Sequence, residues 1–303
     1  MSARERTATV GGHDVRYFVA GDGLPVLLLH GYGLGQHTYG GVAKRLVQQG
    51  CRVVAPGLPG FGGTPDLAES TLSFEGYARW LDRFLEAIGE DERVVVVGHS
   101  FGGGVAIRFA HDFPERVRSL VLVNSIGGSA WRSGRTLKAI AQRPLWDWGI
   151  HFPADIWPAR QATKVLPVVL KDAIPNLLRN PRAFVRVGGL ARRADLTAEL
   201  EELKRRRLPV TVLWGNRDGV VTRESFEALC VAVGASGEVV DGSHSWLLAD
   251  PKAFGEVITN HLEVAKLARL RPEVVETLEG DVDASPRRRR RKRTSDPDRD
   301  FRP

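Results

Sequence analysis

The chain has 303 residues, 43% of them hydrophobic, and a net charge of +7. That is enough for one large core with an insertion and too polar for an integral membrane protein. The charged start, Met1 to Thr9, holds no apolar run that would serve as a signal peptide and no run elsewhere approaches bilayer length, so the expected compartment is the cytoplasm.

In chain order, Thr7–Val10 and Val15–Ala20, joined by Gly11-Gly12-His13-Asp14, read as an antiparallel hairpin. Val26–Leu29 is a short apolar strand that runs directly into His30-Gly31-Tyr32-Gly33-Leu34-Gly35. A helix follows through Val42 to Gln49, ended by Gly50. Arg52–Val54 is the next strand, and the Gly- and Pro-dense stretch from Ala55 to Pro65, with Leu58 and Phe61 embedded in it, reads as a rigid turn. Phe74 to Ile88 carries Tyr77, Trp80, Leu81, Phe84 and Leu85 at helical spacing. Val94–Val97 is a run of four β-branched residues, expected to be a strand buried on both faces, and Phe101–Asp112 is a helix that begins at once. Leu120–Val123 is another buried strand.

From residue 125 to about 207 no strong strand candidate occurs. The amphipathic helical pieces there are broken by Pro144, Pro153, Pro158, Pro167, Pro175 and Pro181, and four of the seven tryptophans (Trp131, Trp146, Trp148, Trp157) fall in this segment. It reads as a helical insertion with an aromatic underside, in which Trp131, Trp146 and Trp148 are candidates to line a substrate pocket. Strand and helix then alternate again through Val210–Leu213, Glu224–Val231, Glu238–Val240 and a closing helix from Pro251 to about Leu267. That alternation implies a mostly parallel, doubly wound sheet.

The strand-to-helix junction Gly98-His99-Ser100-Phe101-Gly102 is a G-x-S-x-G in the context that motif requires, a strand, a sharp turn and a helix. The turn would lift Ser100 to the sheet edge, where the helix N-terminus favours developing negative charge. A serine hydroxyl needs a base to take its proton and a carboxylate to orient that base. Asp218 follows the strand ending at Leu213 and His244 follows the strand ending at Val240. Residues just past the carboxyl ends of parallel strands converge in space, which brings Ser100, Asp218 and His244 together in the order Ser, Asp, His. Asp241 stands too close to His244 along the chain to be favoured as the acid, and Asn124 cannot be an ionised orienter. His99 and His30 read as supports for the turn and for the loop after the first parallel strand. His13, His37, His111, His151 and His261 have no partner pattern that would hold a metal. Cys51 and Cys230, the only cysteines, read as small buried hydrophobes without metal-ligand spacing.

Together these motifs resemble the α/β-hydrolase fold family, in its lid-bearing branch of esterases, lipases, carbon–carbon bond hydrolases and cofactor-free haloperoxidases. The resemblance covers about Val10 to Leu267. It rests on His30-Gly31-Tyr32-Gly33, Pro56-Gly57-Leu58-Pro59-Gly60-Phe61-Gly62, the Ser100 turn, Trp214-Gly215-Asn216-Arg217-Asp218 and Gly242-Ser243-His244. It implies an α/β fold with a mostly parallel eight-stranded sheet, helices on both faces and an inserted helical cap. The core would be residues 1–124 and 208–267, the cap 125–207, and the rest a C-terminal extension with a basic tail. It also implies an oxyanion hole from the backbone N–H groups of Tyr32 and Phe101. Against the family pattern, Gly57 stands where Asp is usual, Tyr39 where many relatives carry Trp, and Ala249 where an acidic residue is usual.

The expected activity is hydrolysis of an ester, thioester or related acyl bond of a small hydrophobic substrate through an acyl-enzyme on Ser100, with no cofactor or metal. The rival within enzymes is carbon–carbon bond hydrolysis of a diketone-like substrate by the same triad. The rival from another class is a non-catalytic ligand-binding or scaffold protein that works through its tail. Charge is concentrated in two places: sixteen basic against seven acidic residues from Ser125 to Leu208, and nine against three from Pro286 to Pro303. The run Arg287–Arg293 lacks any apolar pattern and is expected to be a disordered tail suited to weak contact with nucleic acid, an acidic protein or anionic lipid.

Overall fold

The computed structural model describes residues 3–128 and 170–270. The expected pocket residues Trp131, Trp146 and Trp148, with Trp157 and the Arg287–Arg293 run, lie outside the described residues. All eight strands belong to a compact unit spanning residues 1–265.

The strands are β1 (Arg4–Val10), β2 (His13–Ala20), β3 (Leu24–Leu29), β4 (Cys51–Pro56), β5 (Val94–His99), β6 (Val117–Val123), β7 (Val210–Gly215) and β8 (Glu238–Val240). They form one sheet in the order β1-β2-β4-β3-β5-β6-β7-β8. The pairings β1/β2 and β2/β4 are antiparallel, and every other pairing is parallel. The opening hairpin is tighter than expected, because Val10 pairs with His13 and only Gly11-Gly12 turn the chain. Both glycines have positive φ, 59° and 82°, which is what a two-residue turn matched to strand twist requires.

The helices are α1 (Gly40–Gln48), α2 (Phe74–Ala87), α3 (Phe101–Asp112), α4 (Pro181–Ala191), α5 (Thr197–Arg205), α6 (Arg223–Val233), α7 (Trp246–Ala249) and α8 (Pro251–Leu270), with residues 170–179 also helical. The short α7 was not anticipated. Helical residues also run through Pro175 rather than stopping before it, in a segment pinned on both sides of that proline by the buried contacts of Asp172 and Asn176. α2 starts where Ser73 Oγ accepts the Gly76 N–H at 3.0 Å, a side-chain cap for an orphan donor.

The sheet is buried on both faces, and alternate residues of each central strand supply two separate cores. Leu27, Leu29, Val94, Val96, Leu120 and Leu122 pack with α2, α3 and α6, joined by Leu200 and Leu203 of α5. Val26, Leu28, Val95, Val97, Val121 and Val123 pack with α1, α7 and α8. This is why the parallel strands read as unbroken apolar runs instead of alternating ones. The winding direction reverses at β3, since β4 lies on one side of it and β5 on the other. The crevice outside the carboxyl ends of β3 and β5 is therefore the topological switch point, where doubly wound folds place their ligands. A separate cleft of about 470 Å³, lined by Arg4, Arg6, Tyr17 and Arg52 among others, lies at the amino ends of β3 and β4 and includes none of the candidate residues.

Candidate active site

Ser100 sits between β5 and α3 with φ 53° and ψ −116°. A non-glycine residue in that region carries backbone strain, and the packing around it explains how the strain is held. A Cβ on Gly98 would meet Gly102 O at 2.6 Å, and one on Gly102 would meet Leu29 O at 2.5 Å and His30 O at 2.6 Å. Only glycine lets the turn close this tightly against the end of β3. The Ser100 N–H donates to Val123 O at 3.0 Å and its carbonyl accepts from Gly103 at 3.0 Å, so the backbone is fixed on both sides of the side chain. As the first residue of α3, Phe101 presents an N–H with no acceptor within its helix. Among the described residues no acceptor faces the Tyr32 N–H in the loop after β3.

Asp218 and His244 come from the loops after β7 and β8. Their side chains meet with His244 Nδ1 at 2.8 Å from Asp218 Oδ2, and the Asp218 carboxylate is fully buried. A carboxylate taken out of water must be saturated with donors. Asp218 Oδ1 accepts the Val220 and Val221 N–H groups at 2.7 and 2.9 Å, and Oδ2 accepts from Asn124 Nδ2 as well as from His244. That arrangement places the imidazole proton on Nδ1 and the lone pair on Nε2. Asp241 lies elsewhere, 72% exposed and paired with Arg217 at 2.5 Å.

Asn124, which cannot ionise and so is not a candidate acid itself, instead bonds to the Asp218 carboxylate. It has φ 46°, donates to Asp218 and accepts the Trp246 Nε1–H at 2.8 Å. A polar residue immediately after the apolar run Leu120–Val123 was the signal available for it.

Two buried histidines frame the site as fixed neutral groups. His99 Nε2–H donates to the His244 carbonyl at 2.9 Å, since a carbonyl can only accept. Its Nδ1 therefore accepts from the Tyr39 hydroxyl at 2.6 Å, and that hydroxyl accepts the Gly31 N–H at 2.9 Å. The chain Gly31, Tyr39, His99, His244 thus ties the loop after β3 to the loop after β8. Burial, with the neighbouring His244 adding to it, pushes His99 down to about 3. His30 accepts the Leu58 N–H on Nε2 at 2.8 Å and donates from Nδ1 to Gly31 O at 2.9 Å, and burial lowers it to about 4.

Tyr32 is anchored through its ring. Its hydroxyl donates to the Phe184 carbonyl at 2.5 Å, and the ring meets Phe61 and Phe184 edge-on at 5.5 and 5.4 Å. The departure at position 57 has a local cause: a Cβ there would meet Gly62 O at 2.8 Å and Gln36 Oε1 at 2.9 Å, so the Gln36 side chain takes the room an aspartate would need.

Among the described residues, no group of three or more His, Cys, Asp or Glu side chains is arranged to hold a metal, and no helix is long and apolar enough to cross a membrane. What the arrangement supplies chemically is a buried hydroxyl on a strained turn at the sheet edge, a carboxylate–imidazole pair of defined tautomer and two unclaimed backbone donors near the switch point.

Comparison with known proteins agrees with this architecture. Residues 25–151 match the family model described as the alpha/beta hydrolase fold. An uncharacterized protein of Mycobacterium tuberculosis is 30% identical over 286 residues, covering 86% of this chain and 81% of that one. The 2-hydroxy-6-oxo-2,4-heptadienoate hydrolase of Pseudomonas putida is 36% identical over 126 residues, 41% of this chain and 45% of the other. Among solved structures, a thermophilic esterase from Thermogutta terrifontis superposes with a TM-score of 0.65 at 23% identity, covering 87% of this chain and all of the other. A family model spanning β3 to β6 and the Ser100 turn, a relative 30% identical over most of both chains and the eight-stranded sheet agree, and the chain belongs to the α/β-hydrolase fold family.

Proposed function

We propose that the protein is a serine hydrolase that cleaves an ester, thioester or related acyl bond of a small hydrophobic substrate through an acyl-enzyme on Ser100. The observation that carries this reading is the 2.8 Å contact between His244 Nδ1 and the fully buried Asp218 carboxylate, on loops beside the strained turn that bears Ser100. In this mechanism His244 Nε2 takes the Ser100 proton as the hydroxyl oxygen attacks the acyl carbon, and returns it to the leaving group. Asp218 holds the imidazole in its productive tautomer and stabilises the imidazolium that forms. The Tyr32 and Phe101 N–H groups bind the oxygen of the tetrahedral intermediate, assisted by the N-terminal end of α3. Water activated by His244 then releases the acid and regenerates Ser100. Residues 125–207 form the cap over that edge of the sheet in this reading, and the substrate side is lined from it.

Carbon–carbon bond cleavage of a diketone-like substrate is a second reading. It is favoured by the 36% identity to a hydrolase whose name specifies an oxo-dienoate substrate. The two readings share the triad and separate on substrate: p-nitrophenyl esters against a vinylogous 1,5-diketone.

The deciding experiment is labelling with a fluorophosphonate, followed by turnover of an ester chain-length series. Parental protein should be labelled at Ser100 and should turn over activated esters, whereas Ser100→Ala should retain its fold and lose both. Equal turnover by Ser100→Ala would sink the assignment.

A further inference from the structure

We propose that Asp172 and Asn176 are positioning residues for the oxyanion loop, clamping its backbone from the helix at 170–179 so that the Tyr32 N–H is aimed at the developing charge. The inference rests on the serine-hydrolase reading above and extends it to side chains that the triad does not use.

The loop after β3 has to hold a turn of irregular backbone against the nucleophile, and most of its polar groups lack partners in any strand or helix. Their accounting leads to one place. Gly33 O and Leu34 O both accept from Asn176 Nδ2, at 3.0 and 3.1 Å. Thr38 gives its backbone N–H and its hydroxyl to Asp172 Oδ2, at 3.1 and 2.6 Å. Asn176 Oδ1 accepts the Gly62 N–H at 3.2 Å, joining the oxyanion loop to the Gly-rich turn after β4. The Asn176 carboxamide thus uses both donor hydrogens and its oxygen on backbone groups, and it is 7% exposed.

Residues 172 and 176 are one helical turn apart, so they share a face of helix 170–179. Asn180 continues the same row, with its amide on Asp66. The face turned inward is therefore polar, while Leu170, Ile174, Leu177 and Leu178 stand 41–77% exposed. This inverts the usual logic of a helix packed on a core. Burying an asparagine and a carboxylate is costly unless they are fully bonded, and every one of the four Asp172 and Asn176 donors or acceptors described here ends on the loops that bracket Tyr32 and Phe61. Tyr32 itself is pinned from the same side by its hydroxyl bond to Phe184. The peptide planes on the carboxyl side of Tyr32 and the ring of Tyr32 are consequently set by residues more than 130 positions further along the chain.

Because these contacts orient a donor and touch no reacting atom, their loss should appear in the chemical step rather than in ground-state binding. The test uses full-length protein carrying Asn176→Asp, Asn176→Leu, Asp172→Asn or Thr38→Val. Asn176→Asp keeps the acceptor for Gly62 and puts a carboxylate against two carbonyls; Asp172→Asn and Thr38→Val are the mild changes that keep the test open if the others do not fold. Measurements are kcat and KM on p-nitrophenyl butyrate, the inhibition constant of butylboronic acid, whose tetrahedral adduct places an oxygen in the oxyanion site, and the melting temperature. We expect kcat to fall about tenfold to a hundredfold in the Asn176 variants, the size expected for a donor misplaced by about 1 Å. KM should stay within about threefold and boronate affinity should fall in step with kcat/KM. The mild variants should move in the same direction by a smaller factor. Folded variants with parental kcat and boronate affinity, or with a lowered melting temperature as their sole defect, overturn the inference while leaving the triad in place. A parental protein that is neither labelled by a fluorophosphonate nor dependent on Ser100 for turnover fails the serine-hydrolase reading first, and this inference with it.

Discussion

Acidification should destabilise this protein well above the range in which its carboxylates titrate, because His30 and His99 are buried as neutral bases and His261 is half-buried as one. Burial lowers His30 and His261 to about 4 and His99 to about 3. Each of them titrates near 6.5 in the unfolded chain. Between those values the unfolded state binds protons that the folded state refuses, so stability rises with pH across this window. The contribution is fully present above pH 6.5 and drains away as pH falls toward 4, or toward 3 for His99. From pH 7 to pH 5 each histidine loses about 2 kcal/mol, or about 5–6 kcal/mol for the three, against a typical total of about 5–15 kcal/mol. At His99 and His30 the folded partners leave no place for a second proton, because both ring nitrogens are already used, whereas at His261, between Ser119 Oγ at 2.9 Å and Thr211 Oγ1 at 2.8 Å, desolvation is what opposes the charge. Urea titrations at pH 7, 6 and 5, followed by tryptophan fluorescence, measure the slope directly. His261→Asn should be less stable than the parent at pH 7, and that gap should narrow by about 1–2 kcal/mol by pH 5, because one of the refused protons is gone. If parent and variant lose stability in parallel, the neutral-histidine argument is wrong for His261.

Asp218→Asn should reduce kcat/KM for an activated ester by about 10³- to 10⁴-fold, since an amide NH₂ facing Nδ1 favours the tautomer that cannot take the Ser100 proton; steady-state kinetics check it, and a near-parental rate would refute the role of Asp218. Gly102→Ala should leave little folded protein, or a fold with a displaced turn, because the new Cβ would meet two backbone oxygens within 2.6 Å; circular dichroism and fluorophosphonate labelling together distinguish the two, and a normally labelled, stable variant would show that the turn can relax.

How legible the chain is depends on how local the deciding interactions are. The strand and helix around Ser100 were readable because an apolar run, two glycines and an amphipathic helix lie within twenty residues. The eight strands were placed for the same reason, with ends drifting by a few residues where charged side chains such as Arg4 and Arg118 occupy strand positions. The order Ser, Asp, His was readable because sheet topology brings strand ends together. Asn124, Tyr39, Asp172 and Asn176 were not, because each acts through a partner 60 to 143 residues away and none belongs to a motif by composition. The row at 172, 176 and 180 did carry a signal, three short polar side chains at helical spacing in an apolar segment, but periodicity alone reads that row as the solvent face. Only the contacts reveal that it faces inward.

The long reach of the clamp also sets a timetable for the nascent chain. Thr38 and Asp172 are separated by 134 residues, and His99 and the His244 carbonyl by 145. At a synthesis rate of about 5–20 residues per second, Thr38 waits about 7–27 s for its carboxylate. The wait for His244 is about as long. Strands β4 to β6 and the Ser100 turn are made within that interval, and β1 to β3 before it. A ribosome-bound chain therefore carries the Ser100 turn before the His244–Asp218 pair and the Asn176 contacts exist, and this part of the fold is completed only when the last third of the sequence has been delivered and docked.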